Sequence, residues 1–151
     1  KLEKETNKKC IPVWHLSRGL DEWNKLTKEY DYIAIGGIVT KEIKKKDYNK
    51  LFPALLKIAK KNNCKVHGLG FTSSECQKYD FYSIDSTTWL SCTRFGWIGI
   101  FNKNKMQIKI FSKTYRLKRD KEAQEKVTNL SLQEWIKYQK YLLKGEKIER
   151  K

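Results

Sequence analysis

The chain has 151 residues, a length that fits one domain of ordinary size, and 39% of them are hydrophobic, including 13% aromatic residues. This composition supplies an apolar core and excludes global disorder. No apolar run approaches the roughly 18 residues of a membrane span, and no signal peptide precedes the first predicted strand, so we expect a cytoplasmic protein with no membrane partner.

The net charge is strongly positive. It is +16, from 33 Lys and Arg residues against 17 Asp and Glu residues. Such an excess favours a polyanionic partner, and nucleic acid is a commoner one than an anionic membrane. The alternative is a lysine-rich surface that reflects compositional bias alone.

The four cysteines are scattered along the chain, with no CxxC pair: Cys10, Cys64, Cys76 and Cys92. This spacing favours reduced thiols over disulfides or zinc ligands. We therefore predict no metal site, and no cofactor is indicated.

The first half of the chain predicts alternating strands and helices after a polar segment, Lys1–Lys9, which is predicted to be a loop or the tail of a missing element. Strands are predicted near residues 11–15, 32–35, 65–69 and 81–85, helices at Leu20–Tyr30 and Tyr48–Lys61, and a short helix at Thr72–Lys78. Alternation with connections this short favours a parallel sheet with right-handed crossovers.

Three predicted strands end on residues that suit a binding site. Gly36-Gly37 follows the second strand, His67-Gly68-Leu69-Gly70 ends the third, and Asp85 ends the fourth. Glycine lets the backbone approach a ligand closely, and a carboxylate at a strand end is a candidate for catalysis. The alternatives are tight turns, a phosphate held by the N–H groups of the third strand end, and an Asp85 that only caps the chain.

The second half predicts a different architecture. Gly96–Asn102 and Met106–Ser112 alternate in polarity around Lys103-Asn104-Lys105, which predicts a β-hairpin. Ser131-Leu132-Gln133-Glu134 has the pattern of a capping box, so we expect a helix from there to about Lys144.

Basic and aromatic residues are interleaved after the predicted hairpin. Phe111 and Tyr115 lie among Lys109, Lys113 and Arg116. Aromatic faces can stack on bases while cations hold phosphates, so we predict phosphate contacts for these three basic residues and for Arg94. The alternative is a solvated edge strand that lysines protect from pairing.

These elements predict an α/β fold with too few units for a closed barrel, which takes about 250 residues. We expect the last four β/α units of a TIM-like (β/α)8 barrel in residues 1–96, followed by an appended hairpin and C-terminal helix in residues 97–151 of the same domain. The incomplete count and the start at Lys1 rather than Met are expected of the C-terminal half of a larger enzyme.

The order of these motifs over roughly Ile11–Ile110 resembles the last four strands of the tRNA-guanine transglycosylase barrel, including its relatives in phages that insert 7-deazaguanine into DNA. In that family a strand ending near a Gln reads the base, and here Val13-Trp14-His15 stands in that place. A Gly-Gly-Leu-Ala loop holds the base by its backbone, matched by Gly36-Gly37-Ile38-Val39. A Met-Gly-Val-Gly turn follows, matched by His67-Gly68-Leu69-Gly70, and the nucleophilic Asp falls on Asp85.

The resemblance implies a pentosyltransferase that exchanges guanine for a 7-deazaguanine base in DNA or tRNA through a covalent Asp85–sugar intermediate, in the host cytoplasm if the gene belongs to a phage. It implies nucleic acid and the 7-deazaguanine base as partners, with the missing N-terminal half or a second copy of the chain as further possible partners. The residues expected to bind the base are His15, Gly36, Gly37, Ile38, His67, Gly68 and Gly70.

The chain also departs from that family. No Cys follows Cys92, so the family's zinc site has no counterpart, and Trp14 or His15 replaces the base-reading Gln. The early strands that carry the general base are absent. Two alternatives therefore stand beside the enzyme: a non-catalytic nucleic-acid-binding subunit or remnant, and an unrelated β/α-barrel enzyme that binds a phosphorylated small molecule.

Overall fold

The structure, a computed structural model, describes residues 2–90, 97–102, 105–110 and 121–146. It is a mixed α/β protein that divides into two compact units, Lys1–Asp85 and Ser86–Lys151. The described strands form an open four-stranded sheet in the first unit and a two-stranded sheet in the second, not a complete barrel.

The first unit alternates strands and helices as the sequence predicts. In chain order its elements are α1 (Leu2–Thr6), β1 (Val13–Trp14), α2 (Gly19–Glu29), β2 (Tyr32–Ile35), α3 (Tyr48–Lys61), β3 (Lys65–Gly68) and β4 (Ser83–Ile84). Short 3-10 helices lie at Leu16–Arg18, Lys45–Asp47 and Ser74–Lys78.

The polar segment at the start of the chain differs from the predicted loop, because it contains α1. Acidic side chains in a first helical turn interact favourably with the helix dipole, and Glu3 and Glu5 occupy that turn. The Glu3 carboxylate also accepts a hydrogen bond of 2.8 Å from the N–H of Cys10, which ties the end of the segment back to the helix.

The four strands of the first unit are parallel and adjacent in chain order, β1-β2-β3-β4, which confirms the predicted parallel sheet. The two outer strands are shorter than predicted, with two residues each. Right-handed crossovers are the rule between neighbouring parallel strands, and in a sheet with sequential strand order this rule puts the connecting helices on one face.

The apolar core of this unit lies between that face and helices α2 and α3. Trp14, Ile33, Ile35 and Val66 point into it from the strands and are almost completely buried. Trp23 of α2 packs edge-on against Trp14, with 5.2 Å between ring centroids, and donates a hydrogen bond of 3.2 Å to the Leu55 carbonyl of α3. Because α2 and α3 repeat apolar residues at helical spacing, each buries one side.

The second unit contains the predicted hairpin. β5 (Trp97–Asn102) and β6 (Lys105–Ile110) pair antiparallel, with Asn102 opposite Lys105. A 3-10 helix (Thr88–Leu90) precedes them, and α4 (Lys121–Glu146) follows.

The predicted start of the last helix is wrong. Ser131 does not cap α4 but lies inside it, ten residues after the first helical residue. Its side chain is fully buried and donates a hydrogen bond of 2.8 Å to the carbonyl of Trp89. A capping box predicts a helix start only where the hydroxyl bonds its own helix, and here the hydroxyl bonds another segment.

Within the described residues, no helix is long and apolar enough to cross a membrane.

Candidate active site at the carboxyl edge of the parallel sheet

The strand register brings four sequence-predicted segments side by side. Trp14, Ile35, Gly68 and Ile84 are successive partners across the sheet. The next residue of each strand therefore lies in one row along the carboxyl edge: His15, Gly36, Leu69 and Asp85. With strands about 4.8 Å apart, this row spans about 14 Å.

Side-chain alternation decides which residues share a face. Side chains two positions apart point the same way in a strand, so Tyr32, His67, Ser83 and Asp85 lie on the face opposite α2 and α3. The first three are half-buried, and Asp85 is exposed. Polar groups on this face distinguish the sheet from ordinary parallel sheets, which are apolar on both faces.

One oxygen of the Asp85 carboxylate is hydrogen-bonded, while the side chain is exposed to solvent. Its Oδ1 accepts a hydrogen bond of 2.7 Å from the N–H of Gly70, and the Nε2 atom of His67 lies 3.5 Å from the same oxygen. The side chain remains 53% exposed. Gly70 has a φ of +69°, a conformation that glycine adopts without a steric penalty, and this geometry directs its N–H at Asp85.

Both ring nitrogens of His67 face polar side chains. Its Nδ1 atom lies 2.6 Å from the Ser83 hydroxyl, which in turn lies 2.6 Å from the Tyr32 hydroxyl. The imidazole is only 17% exposed, and the Tyr32 ring packs edge-on against it. Nδ1 thus faces Ser83 and Nε2 faces Asp85, and the base contact expected of His67 stays a prediction.

His15 pairs with a residue that sequence reasoning missed. Its Nδ1–H donates to Glu42 Oε2 at 2.8 Å, and the N–H of Ser17 donates to Glu42 Oε1 at 2.8 Å. The hydrogen bond from His15, and then that from Ser17, hold the pKa of Glu42 below its usual range. The His15 ring reaches over Gly36, where a Cβ atom would lie 2.6 Å from Nε2. Gly36 therefore leaves room for the imidazole.

The loop after β2 folds back on itself. Gly37 has a φ of +81°, and its carbonyl accepts a hydrogen bond from the N–H of Ile43. The Ile38 side chain is buried, whereas the Val39 side chain is exposed. Val39 also packs against Gly70, because a Cβ atom added at Gly70 would collide with the Val39 side chain. The loops after β2 and β3 are thus in contact at the same edge as Asp85.

Gly68 faces away from this edge. A Cβ atom there would meet Ile84, Phe71 and Phe81 at 3.3 Å each, in the core under α3. These contacts indicate a packing role for Gly68, and the base contact expected of it stays a prediction.

Of the predicted phosphate ligands, Lys109 lies in β6 opposite Ile98. Arg94, Lys113 and Arg116 lie outside the described residues.

In the described part of the chain, no cluster of three His, Cys, Asp or Glu residues is arranged to hold a metal ion. Cys64 and Cys76 are buried and Cys10 is exposed, while Cys92 lies outside the described residues. Burial raises the pKa of the Cys64 thiol, which disfavours the reactive thiolate. The ionisable side chains described at the sheet edge include the Asp85 and Glu42 carboxylates and the His15 and His67 imidazoles.

Comparisons of the chain with protein-family models, with curated proteins and with solved structures found no match.

Proposed function

We propose that the protein is a base-exchange transglycosylase, a pentosyltransferase that replaces guanine by a 7-deazaguanine derivative in DNA or tRNA. One observation carries the proposal: Asp85 directly follows β4, its side chain is 53% exposed, and its Oδ1 accepts a hydrogen bond from the N–H of Gly70. A nucleophilic carboxylate needs this combination of fixed orientation and access to substrate.

In the proposed reaction, an oxygen of Asp85 forms a bond to C1′ of the sugar. The C1′–N bond to guanine breaks, its electron pair leaves with the base, and the base takes a proton from water. The incoming 7-deazaguanine base then loses a proton to water, and its nitrogen attacks C1′ and releases the Asp85 carboxylate. Each half resembles the covalent step of retaining glycosidases.

The strand order supports the fold part of this proposal, the last four units of a (β/α)8 barrel. Doubly wound sheets reverse their strand order and carry helices on both faces, whereas this sheet runs β1-β2-β3-β4 without reversal. The face opposite the helices carries Tyr32, His67 and Ser83, as the inner face of a barrel would near its catalytic end.

The base would bind along the row from His15 to Asp85. His15 presents Nε2 above Gly36, on the side of the sheet where Asp85 lies. The backbone of Gly36, Gly37 and Ile38 and the loop at Gly70 border the same edge, and a row of about 14 Å accommodates a two-ring base with its sugar.

The net charge of +16 supports a nucleic-acid substrate and a cytoplasmic location where such substrates occur. The same charge supports a second candidate, a non-catalytic nucleic-acid-binding subunit or remnant of such an enzyme. The two candidates differ only in whether Asp85 reacts.

Adduct trapping on denaturing gels tests the proposal. The full-length protein is incubated with guanine-containing duplex DNA or tRNA, and we expect a covalent protein–nucleic acid band that Asp85→Asn abolishes, because an amide is a far poorer nucleophile of almost the same shape. Asp80→Asn is the matched control, since Asp80 is an exposed carboxylate of the same unit that pairs with Lys60 at 3.0 Å.

The control should form the adduct at the wild-type level. An adduct that persists in Asp85→Asn would contradict the assignment of the nucleophile. Nucleic-acid binding without any adduct in the wild type would favour the non-catalytic candidate.

A further inference from the structure

Three polar side chains are in contact one after another between the middle of the sheet and Asp85. Tyr32 on β2, Ser83 on β4 and His67 on β3 lie on one face, with 2.6 Å between Tyr32 Oη and Ser83 Oγ and 2.6 Å between Ser83 Oγ and His67 Nδ1. His67 Nε2 then lies 3.5 Å from Asp85 Oδ1. We propose that these three residues form a relay that positions the Asp85 carboxylate for attack; this inference rests on the function proposed above.

The direction of the hydrogen bonds follows from the carboxylate end. An ionised carboxylate only accepts, so His67 Nε2 must carry the proton that faces Asp85. In a neutral imidazole the other nitrogen, Nδ1, is then an acceptor, so the Ser83 hydroxyl donates to it. That hydroxyl has one proton and must accept from the Tyr32 phenol. For a neutral imidazole beside an ionised carboxylate, only this order gives every link one donor and one acceptor.

The relay therefore selects one of the two neutral forms of His67. With the opposite tautomer, a lone pair on Nε2 would face the carboxylate, and the contact would be repulsive. A distance of 3.5 Å is longer than a good hydrogen bond, but such contacts commonly shorten when substrate binds. The tautomer is thus set by Ser83 and Tyr32 before substrate binds.

The relay also distinguishes the two oxygens of Asp85. The Gly70 N–H donates its hydrogen bond to Oδ1, and His67 Nε2 faces the same oxygen. We therefore assign Oδ2 as the atom that bonds to C1′. His67, Ser83 and Tyr32 are positioning residues in this scheme, and His67 does not read the base.

Nitrogen-15 NMR of the imidazole tests the tautomer without any substrate. In the 151-residue chain we expect neutral His67 to be in the Nε2–H form, and we expect Ser83→Ala and Tyr32→Phe to shift it toward a mixture of both forms. Tyr82→Phe is the matched control, because Tyr82 is an exposed phenol whose ring packs edge-on against Tyr32. It should leave the tautomer unchanged. A wild-type His67 in the Nδ1–H form would overturn the relay.

The rate of adduct formation tests the consequence for the reaction. In the full-length protein, we expect Tyr32→Phe to slow single-turnover adduct formation roughly tenfold, as loss of a supporting hydrogen bond commonly does, with an unchanged KM for the incoming base. His67→Gln should retain more activity than His67→Ala, because the Gln side-chain amide can place an N–H where Nε2–H lies.

The two measurements separate the possible failures. A wild type that forms no adduct would overturn the proposed function, while the NMR result still decides whether the relay exists. A His67→Gln variant with normal adduct rate and a raised KM for the base would overturn the relay in favour of base binding by His67. Circular dichroism of each variant confirms that it folds.

Discussion

The carboxylate of Glu42 joins two segments that are separate along the chain. It accepts hydrogen bonds from the His15 ring and from the N–H of Ser17, both at 2.8 Å, and its side chain is 27% exposed. The pair orients His15 over Gly36, so the position of this imidazole depends on a residue of the β2 loop.

The lowered pKa of Glu42 predicts how stability depends on pH. A carboxyl whose pKa is lower in the folded state stabilises the fold above its unfolded pKa, and this contribution is lost as the pH falls through the folded value, here below 4.5. We expect Glu42→Gln to lower the thermal unfolding midpoint at pH 6, and we expect the difference from wild type to shrink as the pH falls below 4.5 and through the lower pKa of the folded state.

Glu29→Gln is the control, since Glu29 is an exposed carboxylate of α2. It should show no such pH-dependent difference. A Glu42→Gln midpoint that stays below wild type by the same amount at every pH would show that the ionised form of Glu42 makes no special contribution.

Asp85 and Glu42 show which site residues the sequence predicts and which it does not. Asp85, His15 and the glycines were placed at strand ends correctly, because an apolar strand that stops at a glycine or a carboxylate is visible in the sequence. Glu42 was missed because it lies in a loop among lysines, and only the folding back of that loop at Gly37 brings it to His15.

At the scale of elements, the clearest prediction concerns the effect of Ser131 on the stability of the fold. Its buried hydroxyl donates to the carbonyl of Trp89, so Ser131→Ala removes that donor inside a packed region. We expect a loss of about 1–3 kcal/mol in the free energy of unfolding, measured by denaturant titration.

Gln133→Ala is the matched control on the same helix, because Gln133 is exposed. Alanine has a high helix propensity, so this variant should be as stable as wild type or slightly more stable. Equal stabilities of Ser131→Ala and wild type would mean that the buried hydrogen bond contributes nothing net.

A comparison of the predicted and observed bounds shows which elements the sequence pattern alone can place. The bounds of α3, Tyr48–Lys61, agree with the prediction because its apolar residues recur at helical spacing along its whole length. The start of α4 was placed ten residues too late, because its first turns are polar and the capping pattern at Ser131 outweighed them. The predicted outer strands are too long, because apolar residues such as Ile11 and Phe81 extend the pattern beyond the residues that pair with a neighbouring strand.

At the scale of the whole molecule, the charge of +16 predicts salt-dependent binding to DNA or structured RNA. Each phosphate contact that is lost should reduce the slope of log affinity against log salt by about 0.9 for duplex DNA. We therefore expect the triple change of Lys109, Lys113 and Arg116 to Glu to weaken binding and to reduce the slope by about 3, without a change in sequence preference.

The control must carry the same change in net charge at another place. Three exposed lysines of the first unit serve this purpose when changed to Glu: Lys25, Lys28 and Lys50. Fluorescence anisotropy at several salt concentrations gives the slopes. Equal losses for the two triple variants would assign the attraction to net charge rather than to the predicted patch.

The parallel register that aligns the four strand ends also affects the stage of folding at which the site forms. His15, Gly36, His67 and Asp85 are distant along the chain and meet only through pairings that close long segments. Such contacts form late and slowly compared with those of a hairpin. The tautomer of His67 is therefore a marker for the pairing of β2, β3 and β4, because Tyr32, Ser83 and Asp85 surround it only when these three strands are in register.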